Sequence, residues 1–154
     1  MRVTLAIVCI LLLQGCSANF RLYQIGDMDD LLLDYYTNDL KRISPGIACD
    51  DFKMKNNVGC FKLLVDNRNG KVVTMVYDEF DGNPLVLYHF DPPVNYVFVE
   101  KSYETKIESS DALPENEKVV LEEGQRSLKL IFFEKSALQF YWKEGAFHKI
   151  WTSD

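Results

Sequence analysis

Ala137-Leu138-Gln139-Phe140-Tyr141-Trp142-Lys143-Glu144-Gly145-Ala146-Phe147-His148-Lys149-Ile150-Trp151-Thr152 decides the fold class. Leu138, Phe140 and Trp142 fall on one side of an extended chain, and Ala137, Gln139 and Tyr141 on the other, which is the period of two that a strand produces. Lys143-Glu144-Gly145 interrupts the pattern and residues 147–152 resume it, so the stretch reads as a hairpin. Working outward, 127–133 adds a third strand before the turn Glu134-Lys135-Ser136. Packing in a core accounts for the heavy aromatic load.

The same alternation runs through the middle of the chain. Residues 60–65 and 71–80 flank Asp66-Asn67-Arg68-Asn69-Gly70, where Asn-Gly tolerates the positive φ of a tight hairpin turn. Asp81-Gly82-Asn83-Pro84 marks the next turn, 85–90 the next strand, and 96–103 another after Asp91-Pro92-Pro93. Short turns between successive strands imply antiparallel order. The acidic, polar stretch 108–123 reads as a solvated connection.

One helix is expected, over residues 27–43. Asp27, Asp29 and Asp30 open it and Lys41 and Arg42 close it, in the order that complements the helix dipole. Leu32, Tyr35, Tyr36, Leu40 and Ile43 follow helical spacing, and Ser44-Pro45-Gly46 stops it. The expected fold is therefore α+β: a mainly antiparallel, meander or sandwich-like sheet with one N-terminal helix.

The N-terminus carries an address. Arg2 precedes an apolar run over 3–13, too short to span a bilayer and suited to a signal h-region. Leu13-Gln14-Gly15-Cys16 then resembles the lipobox of bacterial lipoproteins, which implies diacylation of Cys16 as the first mature residue. The alternative is an ordinary secretory signal cut near Ala18. On the lipoprotein reading, 1–15 is signal peptide, 16–26 anchor and tether, and 27–154 one globular domain of the cell envelope. The domain is then expected to face the periplasm from the outer membrane, the alternative being a soluble periplasmic or secreted protein.

Removal of 1–15 leaves 139 residues with 16 basic and 23 acidic side chains, a net charge of −7. That charge disfavours nucleic acid and matches a basic partner. Cys9 leaves with the signal and Cys16 is consumed by lipidation, so Cys49 and Cys60 remain as an even pair in an exported protein. One structural disulfide is the expectation.

Residues 140–154, from Phe140-Tyr141-Trp142 to Trp151-Thr152-Ser153-Asp154, look like the ending of small, uncharacterised bacterial envelope proteins. Those chains close with an aromatic strand, a Gly-containing turn and a strand ending Trp-x-Ser-Asp. They commonly carry an alternating-Asp, calcium-loop-like stretch before the first strands. Cys49-Asp50-Asp51-Phe52-Lys53-Met54 lacks that alternation, so the resemblance implies an envelope β domain and transfers no site.

Chemistry is sparsely signalled. His89 and His148 have no metal-ligand spacing, and Arg68 stands where an EF-hand loop needs an oxygen ligand. No nucleophile elbow and no glycine-rich phosphate loop occurs. No catalytic residue, metal or cofactor is assigned, and the chain reads as non-enzymatic. The candidate partner-binding residues are Asp78 and Glu79, an acidic group, and Pro92, Pro93 and Tyr96, a stiff loop ending in an aromatic. The resulting expectation is an envelope lipoprotein that binds a basic envelope protein. In its more specific form it is an inhibitor or immunity protein against a cell-wall hydrolase or periplasmic toxin, a profile similar to that of lysozyme-inhibitor lipoproteins and secretion-system immunity proteins. The alternatives are a small-ligand-binding or structural envelope module, or an unrecognised hydrolase.

Overall fold

Asn69-Gly70 turns the chain as its residue types require. Gly70 takes φ 68°, its N–H donates to Asp66 O at 2.9 Å, and Lys71 N–H donates to the Asn69 side chain. The computed structural model describes residues 19–30, 33, 45–80, 82–109, 117–132 and 136–153. The turn joins β3 (Gly59–Asp66) to β4 (Lys71–Glu79), and β5 (Leu85–Val94) follows on the far side of β4. β1 (Phe20–Leu22) and β2 (Ile47–Asp50) complete this first antiparallel sheet, both pairing with β3.

The second sheet has the order β11-β10-β9-β6, again antiparallel: β6 (Val97–Ser102), β9 (Ser127–Phe132), β10 (Ser136–Lys143) and β11 (Ala146–Ser153). Glu144 and Gly145 form the two-residue β10–β11 turn with φ 51° and 84°, the pair of positive values that matches strand twist. A small hairpin, β7 (Lys106–Glu108) with β8 (Lys118–Val120), stands apart as a third sheet.

The two large sheets share one core. Phe61, Leu63 and Val65 of β3 alternate inward with Met75 and Tyr77 of β4, and they meet Val97 and Val99, Leu128 and Leu130, and Leu138 and Phe140 from the second sheet. The opposite face of β10 is buried as well. Tyr141 and Ile150 lie beneath Ile107, Val119 and Leu121 of the small hairpin and its flank, forming a second cluster. β10 is thus buried on both sides, including Gln139, whose amide donates to Ser127 Oγ at 2.8 Å.

Several expectations need correction. The stretch 16–26, read as anchor and tether, enters the fold early: Phe20–Leu22 pairs with β3, Tyr23 is fully buried, and its hydroxyl donates to Asn95 O at 2.8 Å. Leu63 shows how β1 and β2 act as one interrupted edge strand. Its carbonyl accepts Tyr23 N–H, and its N–H donates to Gly46 O. A Cβ on Gly46 would stand 2.2 Å from Tyr23 O, so only glycine permits this approach. The expected helix over 27–43 falls mostly outside the described residues, and α+β is not confirmed. At its start Ile25–Asp27 forms a 3-10 turn and Met28 is extended, although Leu33 N–H does donate to Asp29 O. The segment 108–123, read as a connection, supplies β7 and β8 at its ends.

Cys49 and Cys60 lie directly opposite each other on β2 and β3 and form the expected disulfide, with S–S 2.07 Å. Closing so short a loop stabilises the fold by about 2–3 kcal/mol on the chain-entropy account.

Candidate functional site

Asp51 shapes the loop after β2. Its carboxylate accepts the N–H groups of Lys55 (3.0 Å) and Asn56 (2.7 Å), while Met54 and Asn56 take φ 54°. Both oxygens therefore serve the backbone. The turn drives Phe52 into the core, edge-on to Phe61 at 4.7 Å, and lays Lys53 across the end of the sandwich.

There Lys53 meets an aromatic cluster. Its ammonium is 4.5 Å from the Trp142 ring centre and 4.8 Å from that of Tyr77, and Phe147 packs on both rings. Glu79 supplies the counterion at 2.7 Å and also accepts from the Tyr77 hydroxyl. A cation over aromatic faces gains about 0.5–2 kcal/mol, more as water is excluded. The Lys53 ammonium holds the Glu79 carboxyl below the usual carboxylate range, and burial pushes the Tyr77 phenol well up. Near neutral pH Glu79 is thus an ionised partner and Tyr77 a neutral donor, a pair suited to fixing a loop.

Beside this cluster runs a groove of about 550 Å³. The Lys53–Lys55 segment forms one wall, Val120, Glu122 and Gln125 another, and the turn from Trp142 to Glu144 the third. Gln125 is fixed there by donating to Trp142 O at 2.6 Å. Met54 and Val120 of the groove walls are exposed, as are Val58, Leu85 and Val86 of the first sheet and its flank, and Phe80 is 95% exposed. Register brings Val58 and Phe80 to one end of the first sheet, just beyond the Gly59–Glu79 pair, and Leu85, opposite Tyr77, begins the next strand at that end.

The residues singled out from the sequence divide between two ends of the first sheet. Asp78 pairs with Lys62 at 2.6 Å and Glu79 with Lys53, so neither is a free acidic patch. Pro92 and Pro93 do not form a loop. They lie within β5, where Thr74 faces His89 and Val72 faces Val94, a bulge that holds both prolines on an edge strand. Tyr96, 41% exposed, is in the turn to β6 beside the Val72–Val94 pair. From Val72 to Glu79 is about 23 Å at 3.3 Å per residue, so the two groups do not form one surface. Cys16 lies outside the described residues.

The histidines have local roles. His148 stacks on Tyr141 at 5.6 Å and its Nε2 is 3.2 Å from Lys143 O, while His89 is exposed on β5. The Asp66 carboxylate is occupied by Arg68. Among the described residues no group of three His, Cys, Asp or Glu side chains converges as a metal site would. Sequence reasoning did not find Lys53 and Trp142, because only tertiary structure joins a loop near residue 53 to a turn near residue 143. In comparisons with protein-family models, curated proteins and solved structures, nothing matches this chain.

Proposed function

We propose that this chain is a non-enzymatic envelope lipoprotein, held to the membrane by acyl chains on Cys16, whose Lys53–Trp142 end binds a protein partner. One observation carries the reading: Phe80 is 95% exposed at the tip of a sheet whose core is otherwise filled, with Val58 and Leu85 exposed at the same end. Apolar side chains gathered in this way favour contact with another protein. A basic envelope protein, such as a wall hydrolase or toxin, fits the net charge of −7 remaining after signal removal. Inhibition or immunity is the corresponding biological role.

Purified mature protein, used as bait in envelope extract, should retain a basic protein, with weaker retention at raised salt because charge steering is screened over about 8 Å at physiological ionic strength. Phe80→Asp should abolish that retention. Equal retention by Phe80→Asp and wild type would overturn the assignment of this end. The groove favours a second reading, a small-ligand module, since about 550 Å³ lies within the usual range for ligand sites. Its walls of lysine and glutamate are less apolar than such sites usually are.

A further inference from the structure

We infer that β1 and the turn from Asp66 to Lys71 face the phospholipid surface, so that the Lys53–Phe80 end points away from the membrane; this rests on the proposed lipidation of Cys16. Asn19 is already fixed to the fold, its carbonyl accepting Asn67 N–H at 2.9 Å, and Phe20 pairs with Asp66. Three residue steps separate Cys16 from Asn19, and an extended chain covers at most about 10–11 Å over them. Each headgroup layer is itself about 5–8 Å thick. A domain tethered this closely has its β1 edge and the adjoining turn at the headgroups.

The surface there suits that neighbour. Residues 19–27 and 66–71 carry three cations, Arg21, Arg68 and Lys71, against two carboxylates. Each carboxylate is held by an arginine, Asp27 by Arg21 and Asp66 by Arg68. The Arg68 side chain is still 79% exposed, and Phe20 presents an apolar face beside it. A phospholipid surface thus meets cations and an aromatic ring in a protein that is acidic overall. β3 runs eight residues away from this turn to Gly59, about 23 Å, and carries the Phe80 end clear of the headgroups.

The test uses full-length protein extracted from membranes and returned to phosphatidylcholine vesicles containing nitroxide-headgroup lipid. A fluorophore is placed on Asn69→Cys or Lys71→Cys at the turn, and on Asn83→Cys at the far end, with the disulfide left oxidised. Quenching should be several-fold greater at 69 and 71 than at 83. Inserting twenty Gly/Ser residues between Ala18 and Asn19, a coil spanning about 22–27 Å, should remove the difference. Equal quenching at both ends, or a difference unchanged by the insertion, overturns the inference. Intact mass separates the two failures: acyl chains on Cys16 with equal quenching leave lipidation standing, whereas their absence removes the lipidation reading itself.

Discussion

The two ends of the first sheet are finished with different materials. At the Asp66–Lys71 turn, polar groups satisfy one another: Arg68 grips Asp66, and Asn69 accepts from Lys71 N–H. At the other end Lys53 covers rings that would otherwise meet water, and Phe80, Val58 and Leu85 stay exposed. A hairpin needs only the first kind of ending. Exposed apolar side chains contribute little to folding, and the proposed partner surface is placed at the second kind of ending for that reason.

Glycine substitutions give the largest expected contrast. Alanine at Gly46 would press on the Tyr23 carbonyl, which the sheet holds in place, and we expect a loss of about 2–3 kcal/mol in urea unfolding. Alanine at Gly59 would meet the Tyr77 ring, which is buried against Phe61 and Phe147, so that side chains and not the backbone must give way. There we expect about 1 kcal/mol. Equal losses would show the aromatic end to be as rigid as the edge. Removing the disulfide with Cys49→Ala and Cys60→Ala together should cost about 2–3 kcal/mol by the same assay, since its loop spans eleven residues of separation.

Binding separates the ends next. Phe80→Asp should weaken partner affinity by about tenfold to a hundredfold, about 1.4–2.7 kcal/mol, while Tyr96→Ala at the opposite end leaves it unchanged. Titration calorimetry checks both, and the melting temperature of Phe80→Asp should stay near wild type because that side chain is 95% exposed.

The smallest effect is acid dependence. Glu79 has its carboxyl lowered by Lys53, so its contribution is present above the ordinary carboxylate value of about 4.3 and is lost as pH falls through the lower folded value. The pair is partly exposed, and its share should not exceed about 1 kcal/mol. Lys53→Met should flatten that part of the stability profile between pH 5 and pH 3, read from urea midpoints.

Legibility in the sequence followed the length of the signal. Asn69-Gly70 and the apolar, aromatic run of β10 between turn residues exposed their hairpins because backbone freedom and strand propensity are local properties, although β10 is buried on both faces and not on one. β1, β7 and β8 have three residues each, too few to show a period, and they exist because a neighbouring strand or cluster accepts them. Pro92 and Pro93 read as a break because proline cannot donate to a ladder, yet an edge-strand bulge requires no donor there. The disulfide was readable from the parity of Cys49 and Cys60 under the expectation of export. The Lys53–Trp142 groove was not, since its walls are about ninety residues apart in sequence and meet only when the sheets pack.

On the proposed function the Phe80 end, and not the Tyr96 end, meets a protein partner. A photo-crosslinking amino acid placed at position 80 and, separately, at position 96 of the full chain in living cells tests it directly. One discrete protein adduct is expected at 80, a basic envelope protein by mass spectrometry, and no protein adduct at 96. An adduct at 96 with none at 80 would contradict it.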